Sequence, residues 1–154
     1  MNLNFQLVKP EDDSTIEHIA EWYFKEWKIP KDQSLIKLKT ITSSPTQFQV
    51  LTTLDGVPIS TAGLYNHIGL LDKVPRLSIY KNWLALVYTI PSMRQKGYGA
   101  LICNYIHDHS KKIGLNEIYL FTDTAESLYE RLGWKALERL PLGNRNIVVM
   151  KKEL

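Results

Sequence analysis

The stretch from Trp83 to Ala100, WLALVYTIPSMRQKGYGA, constrains the fold most, because it spells a strand, a turn and the start of a helix. Trp83–Thr89 are apolar or strand-prone throughout, the pattern of a strand buried on both faces. Pro91 ends that strand, since it cannot donate to a ladder and disfavours a helical residue before it. Downstream, Leu101, Ile102, Tyr105, Ile106, His109 and Ile113 recur at helical spacing, so a helix follows. Between the two lie Arg94-Gln95-Lys96-Gly97-Tyr98-Gly99. A strand feeding a helix through a glycine turn gathers the unpaired N–H groups of the first helical turn. The helix dipole adds positive potential at the same point. Gly97 and Gly99 leave the backbone open to a phosphate. A tight turn with no ligand has the same spelling. The nucleotide-binding motifs do not: G-x-x-x-x-G-K-S/T is absent, and G-x-G-x-x-G is not completed at Ile102.

The run Tyr88-Thr89-Ile90-Pro91-Ser92-Met93-Arg94-Gln95-Lys96-Gly97-Tyr98-Gly99 resembles the acyl-CoA signature of the GNAT superfamily of N-acetyltransferases. That signature is Q/R-x-x-G-x-G/A behind a strand and a V-x-P-like turn. Ala125-Glu126-Ser127-Leu128-Tyr129-Glu130-Arg131-Leu132-Gly133-Trp134 resembles a second family pattern, A-x-x-L/F-Y-x-x-x-G-F/W, in the right order and at the right distance. The resemblance covers most of the chain. It implies an α/β fold with a mixed, mostly antiparallel twisted sheet, flanked by about four helices. The sheet splays between its fourth and fifth strands, here Trp83–Thr89 and Glu117–Thr122, and acyl-CoA lies in the gap.

Acetyl transfer from a thioester to an amine needs a held donor, a polarised carbonyl, a deprotonated amine and a protonated leaving thiolate. The resemblance assigns the pyrophosphate to the backbone of Gln95, Lys96, Gly97, Tyr98, Gly99 and Ala100, with charge added by Arg94 and Lys96. For Arg94, packing of its stem against the helix start is an equal alternative. The strand backbone at Val87, Tyr88 and Thr89 takes the pantetheine arm, and an N–H near Thr89 faces the thioester oxygen. Tyr129 stands at the general-acid position; an ordinary phenol, with a pKa near 10, stays protonated at neutral pH. Two departures stand out. Thr122 offers one hydroxyl to the cofactor where many members carry an Asn that binds the pantetheine amides, and Trp83 stands where some carry a glutamate base. Tryptophan accepts no proton, so the candidates for a base are His67, Asp72, Tyr88, Glu126 or a water relay.

The other segments order themselves around this centre. Residues 3–8 read as a first strand, and Ser14-x-x-Glu17 as a capping box that opens helix one. Ile16, Ile19, Ala20, Tyr23 and Trp27 form its inward face; Trp22 and Phe24 point elsewhere on the wheel, where ordinary packing and the wall of an acceptor pocket are alternative readings. Ser34–Ile41 is a second helix with Leu35, Leu38 and Ile41 inward. Phe48–Leu54 and Val57–Tyr65 flank Asp55-Gly56, a strong hairpin signal. Residues 66–82 make a connection longer than a hairpin needs, hence a candidate substrate loop that with Trp83 and Trp22 shapes the acceptor side. Ala125–Leu132 is a short helix, and Trp134–Leu140 and Asn146–Lys151 are a last pair of strands around Gly143-Asn144.

Composition sets the outer limits. A chain of 154 residues fits one domain, 1–154. A net charge of +3 is too small to argue for nucleic acid. Residues 78–154 carry 11 Lys/Arg against 7 Asp/Glu, while residues 1–77 carry 8 against 9, so the half with the glycine turn is the basic one. No apolar run approaches the roughly 20 residues that span a bilayer, and no secretory signal is visible, so a cytoplasmic location is the default. The single Cys103 excludes an internal disulfide and reads as a packing residue. His107 and His109, two apart on a helix, do not face one another, and no metal site is expected. The sequence therefore supports an acetyl-CoA-dependent N-acetyltransferase, monomer or homodimer, acting on a primary amine of a small molecule or peptide. A non-catalytic acyl-CoA-binding module is the alternative.

Overall fold

The computed structural model describes residues 1–154. In chain order the elements are β1 (Leu3–Leu7), α1 (Asp13–Trp27), α2 (Lys31–Thr42), β2 (Phe48–Leu54), β3 (Val57–Tyr65), α3 (Gly69–Lys73), β4 (Trp83–Thr89), α4 (Tyr98–Lys112), β5 (Glu117–Thr122), α5 (Glu126–Arg131), β6 (Lys135–Leu142) and β7 (Arg145–Glu153). Seven strands form one sheet in the order β1-β2-β3-β4-β5-β7-β6. Every neighbouring pair is antiparallel except β4 and β5. Those two run parallel and share one residue pair, Trp83 with Tyr119, beyond which their facing edges carry no ladder. The mixed, splayed sheet is thus as the resemblance implied, with five helices rather than about four. The fifth is α3, which with a 3₁₀ turn at Pro75–Ile79 gives the 66–82 connection its own structure.

Period-two alternation sends neighbouring side chains to opposite faces of the sheet. Leu64, Leu84, Leu120 and Val148 face α4, where they pack with Ile102, Cys103, Ile106, Trp134 and Met150. Their neighbours Tyr65, Trp83, Tyr119 and Val149 face the other way and are covered by Leu70, Leu71 and Leu77 of the 66–82 connection. Further along that face, Ile16, Ile19, Trp22 and Tyr23 of α1 and Leu38 of α2 pack over Leu51 and Tyr88. The Asp55-Gly56 hairpin forms as its spelling requires, with φ of 51° and 81° at the two turn residues.

Several local readings change. No side chain caps α1; the Asp12 carboxylate instead accepts the Lys9 N–H at 2.9 Å, ahead of the Ser14-Glu17 spelling. The inward face of α4 is Ile102, Cys103, Ile106 and Ser110, while Leu101 and Ile113 are exposed. β4 is not buried throughout: Trp83, Leu84 and Tyr88 are, but Ala85, Leu86 and Val87 are half-exposed where β5 diverges. No helix is long and apolar enough to cross a membrane.

Candidate active site

After β4 the chain makes a 3₁₀ turn at Pro91–Met93, then passes through left-handed residues at Gln95 (φ 62°) and Gly97 (φ 89°) before α4 begins. No side chain caps α4, so the N–H groups of its first turn are left for a ligand. A Cβ built on Gly97 or Gly99 meets nothing within 4 Å, which leaves space at the backbone for a phosphate. Lys96 is exposed beside this turn. Arg94 is otherwise engaged: its Nε donates to the Thr89 carbonyl at 2.7 Å and its Nη2 reaches Glu26 at 3.0 Å, with the guanidinium over the Tyr88 ring. It ties the turn to α1 and braces the end of β4.

β4 carries a bulge where it faces the gap. Thr61 pairs with Tyr88 and Gly63 with Ala85, so the register slips between them, and Leu86 takes φ 53°. A leucine in that conformation is strained and persists only where its surroundings hold it. The holding group is Tyr23, whose hydroxyl donates to the Leu86 carbonyl at 2.9 Å. Gln49 Nε2 donates to Tyr23 Oη at 3.0 Å and to Thr61 Oγ1 at 2.8 Å, and Gln49 Oε1 accepts from Tyr65 Oη at 2.6 Å. All four side chains are buried, so the network is rigid. It also needs Gly63, where an added Cβ would lie 2.1 Å from the Tyr65 ring and 2.6 Å from Gln49 Oε1.

A cavity of about 530 Å³ fills the gap and passes through the sheet. Leu84, Val87, Leu120 and Tyr129 line it from the α4 side, and Trp27, Ile29, Lys37, Tyr65, Ile68 and Leu70 from the other. Tyr129 accordingly stands at the gap, its ring edge-on to Trp134 at 6.0 Å. Burial, and secondarily the nearby Cys103, push its phenol well above the usual tyrosine range, so it keeps its proton. Thr122 also lines the cavity; its hydroxyl accepts the Ala125 N–H at 3.0 Å and so shapes the turn into α5. Tyr88 is packed between Trp22 and Trp27 with its side chain buried, so any contact from it to a ligand is through its backbone.

The aromatic residues exchange roles. Trp83 is wholly buried, donating to the Tyr80 carbonyl at 3.0 Å, and does not line the cavity. Trp22 is buried against Tyr88, and Phe24 lies on the surface beneath Lys28 and Lys31. Trp27, expected in the core, is 42% exposed and forms the cavity wall. None of the candidate bases lines the cavity: His67 and Asp72 pair with each other at 2.9 Å, and Glu126 is held in a two-pronged pair with Arg139. Of the 66–82 connection, Ile68, Gly69 and Leu70 reach the cavity. Arg76 and Tyr80 fasten its far end to Glu138 of β6.

Comparison with known proteins agrees with this architecture. The model of the acetyltransferase (GNAT) family matches residues 13–134. The chain belongs to the GNAT acetyltransferase family. Among solved structures, an aminoglycoside 6′-N-acetyltransferase complexed with coenzyme A is 17% identical, with 97% of this chain and 96% of that one covered and a TM-score of 0.76. The aminoglycoside 6′-N-acetyltransferase from Enterococcus faecium is 15% identical over 97% and 96%, with a TM-score of 0.75. A ribosomal-protein-alanine N-acetyltransferase from Escherichia coli is 14% identical over 99% and 94%, with a TM-score of 0.70. At these identities the likeness is one of fold. No curated protein sequence matches the chain. Within the GNAT frame, two features of this member escaped sequence reasoning. One is the Tyr23-Gln49-Tyr65 network, signalled only by a glutamine inside the apolar run FQVLTTL. The other is the trio Lys37, Asp123 and Arg145 in the cavity wall.

Proposed function

We propose that this chain transfers the acetyl group of acetyl-CoA to the nitrogen of a primary amine. The observation that carries this reading is Tyr129, a proton-bearing phenol without a hydrogen-bond partner in the chain, standing on a through-sheet cavity between β4 and β5. Acetyl-CoA supplies an activated thioester when bound. The first turn of α4 and Lys96 hold its phosphates, and the β4 edge at Val87, Tyr88 and Thr89 orients its arm. The acceptor enters from the side of Trp27 and Leu70. As the C–N bond forms and the C–S bond breaks, Tyr129 gives its proton to the sulfur, the amine gives up its own to water, and water returns a proton to the Tyr129 phenolate. A protein that only bound acyl-CoA would have no use for that proton.

Tyr129→Phe tests the assignment, because it removes the hydroxyl and keeps the ring. Turnover is expected to fall by roughly 10²–10⁴-fold with acetyl-CoA binding unchanged. Turnover near that of the parent protein would remove Tyr129 from the chemistry and favour a binding module.

A further inference from the structure

We infer that the acceptor is an amine that also carries a carboxylate, on an apolar body such as that of an apolar amino acid or a short peptide. This rests on the transfer reaction proposed above and concerns the acceptor half of the same cavity. The charged residues in the whole cavity wall are Lys37, Asp123 and Arg145. Asp123 is already paired with Arg145 at 3.4 Å. Lys37 has no carboxylate within ion-pair reach; Asp72, the acidic group nearest in effect, is turned to His67. The Lys37 ammonium makes one hydrogen bond, to the His67 carbonyl at 3.3 Å, and lies 4.8 Å from the centre of the Tyr65 ring. An ammonium has three donors, so two remain for a ligand.

Burial lowers the Lys37 pKa from the ordinary lysine range, and a carboxylate partner would offset that cost. Around it Trp27, Ile29, Ile68 and Leu70 suit an apolar body, and beside them Gln33 and Ser34 of the same helix as Lys37 offer a second ammonium neutral acceptors but no carboxylate. A polycationic acceptor such as an aminoglycoside would meet a wall with one more cation than carboxylates. Like charges facing one another in a partly buried wall repel, so such an acceptor is selected against.

The test uses matched amines that differ only in the carboxylate: phenylalanine against phenethylamine, leucine against isoamylamine, with kanamycin as the polycationic probe. Thiol release from acetyl-CoA is followed for the parent protein, Lys37→Met and Lys37→Arg, and the melting temperature is read with and without CoA. The inference expects kcat/KM at least tenfold higher for the carboxylate-bearing member of a pair. It further expects Lys37→Met to erase that preference through KM, and Lys37→Arg to restore it. Equal or better turnover of the carboxylate-free amines or kanamycin overturns it. So does a preference that survives Lys37→Met, or no turnover of any amine while CoA still raises the melting temperature. If CoA fails to raise the melting temperature of the parent protein, the acyl-CoA reading itself is what falls.

Discussion

The Tyr23 hydroxyl of α1 and the Leu86 carbonyl of β4, 63 residues apart in sequence, are joined by a 2.9 Å hydrogen bond that holds β4 in its bulge. Tyr23→Phe removes the donor and leaves that carbonyl without it. Stability should drop by about 1–3 kcal/mol, read from the denaturation midpoint. The CoA-induced rise in melting temperature should shrink with it, because the freed bulge no longer presents one fixed edge to the ligand. A stability loss with the full CoA response would make the bond purely structural.

The same network makes the fold sensitive to alkali. Burial raises the Tyr23 phenol to about 12, against an ordinary value of 10, although its hydrogen bonds oppose the shift. Tyr65 is raised well above 10, again chiefly by burial and then by Tyr23 beside it. A raised folded pKa means that the unfolded chain ionises first. The stabilisation is full below pH 10 and is lost as pH climbs through 10 toward about 12 for Tyr23. Phenolate absorbance is expected to show these tyrosines ionising only together with loss of the native circular dichroism. Reversible ionisation of all eight with the fold intact would contradict the network.

The pH dependence of the reaction follows from which groups the cavity lacks. Its one carboxylate, Asp123, is paired with Arg145, and no imidazole lines it, so no carboxylate or imidazole in the wall is free to take a proton from the amine. Tyr129, raised by burial, stays protonated across neutral and mildly alkaline pH. kcat/KM should therefore climb with pH toward the pKa of the amine itself and fall again where Lys37 loses the charge that holds the carboxylate. Acceptors of lower amine pKa should level off earlier. A plateau near pH 6–7 that ignores the acceptor would reveal a protein base.

Gly97 and Gly99 are distinguishable by substitution. Gly99 lies in the first turn of α4 with open space around it, so Gly99→Val should leave the free protein folded yet remove most of the CoA-induced thermal shift. Gly97 sits at φ 89°, where any side chain adds backbone strain, so Gly97→Val should also lower the melting temperature of the free protein. A normal CoA response from Gly99→Val would refute a phosphate site at the start of α4.

The sheet was legible because its signals are local. β2, β3, β4 and β5 run over the residues that alternation, Asp55-Gly56 and Pro91 mark out. The roles of Trp22 and Trp27 were not legible, since a helical wheel gives direction but not what lies opposite. The last turn of α1 overhangs the gap, so Trp27 shares the inward side with Tyr23 and yet meets a cavity. The Tyr23-Gln49-Tyr65 network joins an α1 residue to two strands, and pairing across such separations leaves no periodic trace. Arg94 is a further case: its spelling suggested a phosphate, and Glu26, 68 residues earlier, competes for the same guanidinium.

One rung between Trp83 and Tyr119 is a thin seam for a seven-stranded sheet. The two panels it separates, β1–β4 and β5–β7, share a keel in α4, whose Ile102, Cys103 and Ile106 pack against both. That keel begins at the glycine turn. A ligand gripping the start of α4 and lying along the seam would thus stitch the panels together at two places. Backbone amides of β5 should then exchange with solvent more slowly in the presence of CoA, although they lie on the far side of the gap from the turn.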